Sequence, residues 1–344
     1  MTNRERVACA LRGGRPDKVP FTAYEWMWGE QHADTVKRLI ERGLSPTRHR
    51  DTCHRKVEGV SYEEQKFDRD GHAWVRTTMK TPAGNLEHLR MDGWTQEYFV
   101  KEPRDYKVIE WIARNTELSA AYDGFDEEQV KLGDQGVLIV SASRTPIQEI
   151  MVERAGIQNF CYHLADESEE LYACHEVMVD LCLRQYEIIA KGPGEFVKLW
   201  ENFTDDAFGP ERFLRFHAPV YRRGAELMHA AGKRIMAHTD GTLRRVAHLM
   251  PQTGLDALES LTPPEEGDVP PERWGKLWPD MVFWSNVPVS WYGFPPKKFA
   301  ARLRDFLGRI GRTHGLLLEI SEDLPRNWPE SIPVVLDVLD ETAS

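Results

Sequence analysis

The chain predicts an α/β fold in which a parallel sheet is covered by helices, and three observations carry that reading. Short, almost wholly apolar runs recur, among them "GVLIV", "FVKL", "RIMA", "ALESL", "MVFW" and "GLLLEI". Segments with helical apolar spacing separate several of them, for example Phe213, Phe216, Val220 and Leu227. Strands buried on both faces by crossover helices have this texture. No Gly-rich G-x-G-x-x-G or G-x-x-x-x-G-K-[ST] loop follows any run, so a closed (β/α)8, or TIM, barrel is favoured over an open doubly wound sheet.

The elements follow in order. Residues 2–12 place Val7, Ala8, Ala10 and Leu11 among charged residues, a short amphipathic helix ended by Gly13 and Gly14. A turn then feeds a first strand from Val19 to Trp28, and a helix over 31–43 stops at Gly43. Between 50 and 103 apolar or β-branched residues alternate with polar ones, and Pro82-Ala83-Gly84 marks a hairpin turn. This is read as an antiparallel β insertion. From about 104 onward helix, apolar run and loop repeat. Seven strands are read directly; the eighth is sought in the helical-looking 150–190 stretch or in the insertion. Residues 1–344 are thus read as a single barrel domain carrying 50–103 as a β-rich insertion.

With 41% hydrophobic and 29% charged residues, the 344-residue chain has material for a large core and a solvated surface. A net charge of -11 with no long Lys/Arg run excludes nucleic acid as an expected partner. The opening lacks the continuous apolar core of a signal peptide, and no segment reaches the roughly 18 apolar residues of a membrane span. A cytoplasmic protein is expected. The five cysteines, Cys9, Cys53, Cys161, Cys174 and Cys182, show no C-x-x-C spacing, so they are read as reduced thiols.

In a parallel barrel the reactive groups lie at the C-terminal ends of the strands. Titratable residues recur there: Tyr24 and Glu25, Arg144, Glu201 with Asp205 and Asp206, His238 and Asp240, Glu259, and Glu319 with Glu322 and Asp323. Desolvated carboxylates need a partner or a cation. His238, Asp240 and Glu322 together form an ordinary ligand set for zinc or manganese. Taken singly, Asp240 could instead cap a helix beginning near Thr242, and Glu322 and Asp323 could form a cap or turn before Pro325. Arg144 suits either a rim carboxylate or a substrate carboxylate or phosphate. Trp200, Trp284 and Trp291 suit either the core or the wall of a flat ligand.

These segments resemble the uroporphyrinogen decarboxylase superfamily, which includes corrinoid-dependent methyltransferases. The resemblance is carried by "MTNRERVACALRGGRPDKVPF", by the stretch from "ENFTDDAFGPERF" to "RIMAHTDG", by "TGLDALESLTPPEEGDV" and by "LLLEISEDLP". It implies the barrel over nearly the whole chain. It also implies that "YEWMWGEQ" stands where the decarboxylases carry an R-Q-A-G-R loop, so uroporphyrinogen is not the expected substrate. In the methyltransferase branch a His-x-Cys pair and a later Cys hold zinc; here the matching positions are His238, Asp240 and Glu322. Both thiolates are exchanged for carboxylates, which makes the metal a stronger Lewis acid toward oxygen.

The leading expectation is a metal-dependent methyltransferase-like enzyme acting on a small oxygen-bearing substrate. Its methyl carrier would be a pterin or a corrinoid on a separate partner protein, since no D-x-H-x-x-G signature is present. Tyr24, Arg144 and Glu201 are the expected catalytic residues, with Glu201 as base or fourth ligand. A lyase, decarboxylase or hydrolase of a small acidic or aromatic compound would use the same residues. A barrel that only binds a ligand is the third reading. The resemblance further implies a homodimer.

Overall fold

A computed structural model of the chain describes residues 1–320 and 323–343. Along it run β1 (Phe21–Tyr24), β2 (Leu44–Asp51), β3 (Cys53–Val57), β4 (Ser61–Arg69), β5 (His72–Thr81), β6 (Gly84–Met91), β7 (Trp94–Glu97) and β8 (Thr116–Ala120). Then come β9 (Val137–Ala142), β10 (Phe196–Leu199), β11 (Arg234–His238), β12 (Ala257–Leu261), β13 (Val282–Asn286) and β14 (Leu316–Ile320). Strands β1, β2 and β9 to β14 close into a barrel in the order β1-β14-β13-β12-β11-β10-β9-β2. All its pairings are parallel.

The eighth barrel strand is β2, not a segment of 150–190 or of the insertion. Its sequence, "LSPTRHRD", buries only its first half, so the apolar signature of a strand covered on both sides is absent from its second half. Residues 150–190 are helical, over Gly156–Ala165 and Glu169–Lys191 with a π-helical turn before them.

The contacts divide the chain into two compact units. The first, Met1–Thr52, Tyr122–Ala142 and Ala190–Ser344, holds the barrel. Successive strand residues face opposite sides of a sheet, and this alternation stacks the barrel interior in layers. Val137, Ile139, Phe196, Met236, Ala257, Val282, Trp284 and Leu317 form one buried apolar cluster. The helix Asn3–Leu11 adds Val7, Ala10 and Leu11 to it, so this helix plugs the barrel. Thr2 caps that helix with Glu5 in a capping box. Two residues further along the strands stand Lys198, His238, Glu259 and Glu319, all buried. The same strands that build the apolar layer therefore deliver a polar one above it.

The second unit, Cys53–Ala121 and Ser143–Ile189, contains an antiparallel meander β4-β5-β6-β7 and the antiparallel pair β3-β8. The turn at Pro82-Ala83 joins β5 to β6 as the sequence predicts. The helices Tyr106–Asn115, Gly156–Ala165 and Glu169–Lys191 accompany the sheets. No helix among the described residues is long and apolar enough to cross a membrane.

If the N-terminal helix plugs the barrel, Leu11→Ala should cost about 2–5 kcal/mol, read from the shift of the urea midpoint at unchanged slope. A cost under about 1 kcal/mol would show that the bottom of the barrel is sealed without it.

Candidate active site

The polar layer is built around a lysine that sequence reading passes over. Lys198 lies inside the apolar run of β10 and is fully buried. Its Nζ donates to Glu259 Oε1 at 2.5 Å and to the Tyr24 hydroxyl at 2.6 Å. The ammonium also sits 3.8 Å from the ring centroid of Trp200, within cation–π range. Tyr24 donates in turn to Glu259 Oε1 at 2.6 Å. Burial pushes the Lys198 pKa down, against the pull of Glu259.

Strand register places the next member. β11 pairs with β12 so that His238 faces Glu259 directly, and His238 Nδ1 lies 2.6 Å from Glu259 Oε2. Both Glu259 oxygens are thereby held. Burial alone would raise its carboxyl pKa, yet Lys198 and His238 hold it well below the usual carboxylate range. Burial likewise disfavours charge on His238, but Glu259 and Asp240 outweigh it and raise its pKa to about 9. His238 Nε2 points to Asp240 Oδ2 at 3.5 Å, and the same oxygen accepts from Asn202 Nδ2 at 2.9 Å.

The loops holding this array are tightly constrained. Asn202 and Ser260 adopt left-handed conformations, with φ of 49° and 59°. The register of β12 on β13 shifts between Glu259 and Leu261, a bulge that turns the Ser260 amide toward Glu319 Oε1 at 2.9 Å. At Gly241 a Cβ would lie 2.5 Å from the carbonyl of Phe203, so only glycine lets the loop after Asp240 pack here. Asp205 accepts from Thr242 Oγ1 at 2.8 Å and from the Arg245 amide at 2.5 Å, and thereby anchors that loop.

The helix expected near Thr242 does not form. The next regular element is a 3-10 turn over Ala247–Gln252, and the amides of Leu243 and Arg244 are bound by Asp268. Asp240 is therefore not a helix cap.

An aromatic wall flanks the array. Tyr24 stacks on Trp26 with centroids 4.5 Å apart, and His49 packs against Trp26 and Trp200 at 5.1 and 4.8 Å. Trp26 is 56% exposed. His49, at the polar end of β2, is pushed well below the ordinary histidine pKa by burial and by Lys198, so it is neutral. Neither of its ring nitrogens finds a hydrogen-bond partner among the described residues. A depression of about 380 Å³ opens over Asp240, lined also by Thr262, Glu266, Asn286, Val289 and Asp323.

Of the expected site residues, Tyr24, His238 and Asp240 are brought into one array. Glu201 is fully buried, as is Tyr221 in the covering helix Ala218–Ala230, whose hydroxyl pKa is pushed up first by burial and then by Glu201. Arg144 belongs to the second unit, where it pairs with Glu153 at 2.7 Å. Glu322 lies outside the described residues. Lys198 and His49 were missed, although a lysine two positions after Phe196 in an inward-facing strand is a readable sign of a polar upper layer.

Two atoms of the array have a spacing that two ligands of one metal could share. With Nδ1 tied to a carboxylate, His238 is oriented as metal-binding histidines commonly are. Ligand atoms on a tetrahedral zinc, each about 2.0–2.1 Å from it, lie about 3.4 Å apart, close to the 3.5 Å between His238 Nε2 and Asp240 Oδ2. No group of three or more His, Cys, Asp or Glu among the described residues completes such a site.

No protein-family model matches the sequence, and no curated protein matches it. Among solved structures, a methyltransferase from Methanosarcina mazei is similar over 100% of both chains, with a TM-score of 0.61 at 12% identity, a likeness of fold. A structure of the pneumococcal virulence factor StrH covers 95% of this chain and 83% of its own, with a TM-score of 0.41 at 9% identity. A D-psicose 3-epimerase with D-fructose covers 69% and 80%, with a TM-score of 0.26 at 12% identity. These two are too distant to bear on the fold.

Because Lys198 and Glu259 compensate each other in the interior, Lys198→Met and Glu259→Gln should each destabilise by about 3–5 kcal/mol. The double variant should lose clearly less than the sum in chemical denaturation. Strict additivity would show that the two groups do not depend on each other.

Proposed function

We propose that the barrel mouth is the active site of a metal-dependent, methyltransferase-like enzyme acting on a small oxygen-bearing organic substrate. The observation that carries this reading is the charge balance of the polar layer. Lys198 cancels Glu259, and the proton that His238 retains beside Asp240 marks the place where a metal cation would take over. Sequence resemblance and likeness of fold to a methyltransferase support the same reading.

His238 and Asp240 would hold a divalent metal, zinc foremost and manganese as the alternative, with Glu322 as the expected third ligand. Bound there, the metal would supply Lewis acidity toward a substrate oxygen. The chain's own residues do the rest. Glu259 fixes the ring of His238 and orients its Nε2. Tyr24 holds a proton on its hydroxyl, and Lys198 donates to that oxygen. A proton passed from Tyr24 to a leaving oxygen would first have to leave its bond to Glu259, and Lys198 would then replace it. Trp26 and Trp200 offer apolar faces for the organic part of the substrate and exclude water from the array. The methyl group would pass to a pterin or to a corrinoid on a separate protein. Glu201, next to Tyr221, is left with a supporting position, and the reading needs no base from it.

The test supplies zinc-loaded protein with methyl ethers and free cob(I)alamin and follows methylcobalamin by absorbance. Methylcobalamin should form with the wild type. His238→Ala should lose both the metal, by elemental analysis, and the activity. Tyr24→Phe should retain the metal while turnover falls by about 10²–10⁴-fold. No methyl transfer from any ether, or equal transfer by His238→Ala, would refute the proposal.

A further inference from the structure

The second unit holds a cavity that the barrel chemistry does not use. It measures about 180 Å³ and is walled by apolar side chains from separate segments, among them Val57, Ile109, Ile112, Ala113, Met178 and Leu181. Arg55, Lys56, Arg154 and Glu149 also line it. Lys56 pairs with Glu58 at the surface, so two cations, Arg55 and Arg154, face the one carboxylate of Glu149.

Glu149 is only 7% exposed and lies between two guanidinium groups. Arg154 Nη2 donates to its Oε1 at 2.6 Å, and Arg55 Nη1 is 3.7 Å from its Oε2. Burial would raise the Glu149 carboxyl pKa, but Arg154 and Arg55 hold it below the ordinary value, so the glutamate is already committed as an anion. Arg55 further donates to Ser143 Oγ at 2.5 Å and to Gln185 Oε1 at 3.2 Å. Arg154 Nε is buried and has no hydrogen-bond partner among the described residues. A buried donor without an acceptor is costly, and an Nε–H beside a guanidinium edge matches the oxygens of a carboxylate.

We propose that this cavity is a binding site for a small amphipathic carboxylate, whose head is held by Arg154 and Arg55 and whose short apolar tail fills the space between Val57, Ile109 and Leu181. The site is independent of the barrel mouth. An apolar pocket with a few convergent polar groups is the usual form of a small-molecule site, and the excess of positive charge selects the sign of the head group.

Hexanoate is the probe, with hexylammonium and hexanol as controls, in calorimetric titrations of the full chain at neutral pH. Hexanoate should bind saturably and raise the melting temperature, and the two controls should not. Arg154→Gln should weaken hexanoate by at least about tenfold. Ala113→Leu, which fills the cavity from the helix Tyr106–Asn115 and leaves the arginines intact, should abolish binding while the protein still melts cooperatively. Should Arg154→Gln fail to fold, Ala113→Leu decides alone. The proposal is overturned if hexanoate does not bind the wild type, if either control binds as well, or if Ala113→Leu binds hexanoate unchanged.

Discussion

An ammonium and a carboxylate lie 2.5 Å apart inside the barrel, both fully buried, and the rest of the site is arranged to make that tolerable. Removing two ions from water costs several kcal/mol each, and their attraction offsets this only when every remaining donor and acceptor is satisfied. Tyr24, Trp200 and His238 meet that condition by hydrogen bonding or by offering an aromatic face. Each of these groups comes from a different part of the barrel. The array can therefore form only when β1, β10, β11 and β12 are in register, so fold and site depend on the same contact.

Position in the layered interior explains why this chemistry stays near the mouth. The apolar layer below, closed by the helix Asn3–Leu11, keeps water from Lys198 and Glu259 on one side. Above, strained backbone at Asn202 and Ser260 and the close approach at Gly241 fix the loop that presents Asp240 and the amide that Glu319 accepts from. Residues held in sparsely populated conformations persist only where the surroundings over-determine them, and such positions cluster at functional sites. Here the strain serves orientation: one left-handed residue places the amide that Asn202 presents to Asp240, and the other turns an amide onto Glu319.

Much of the barrel was legible because seven of its strands are apolar runs, and burial on both faces writes that pattern directly into sequence. β2 escaped because its second half, Arg48-His49-Arg50, is polar; Arg50 Nη1 pairs with Glu128, and His49 joins the aromatic wall. For the same reason His49 was not foreseen as part of the site. His238 and Asp240 were legible as polar residues ending an apolar strand. Lys198 was not, since a single charge within "FVKL" reads as an interruption of the strand until the alternation of neighbouring strands shows that it faces inward. Arg144 follows the end of β9 by two residues and pairs with Glu153 within the second unit, a division that sequence spacing does not reveal.

The central claim is that the polar layer sets aside one cation position between His238 and Asp240. Anomalous diffraction at the zinc edge, from crystals soaked in zinc, tests it most directly. The account predicts a single strong peak within about 2.0–2.2 Å of both His238 Nε2 and Asp240 Oδ2, with the bond from His238 to Glu259 intact. Zinc bound elsewhere, with no peak between these two atoms, would contradict it.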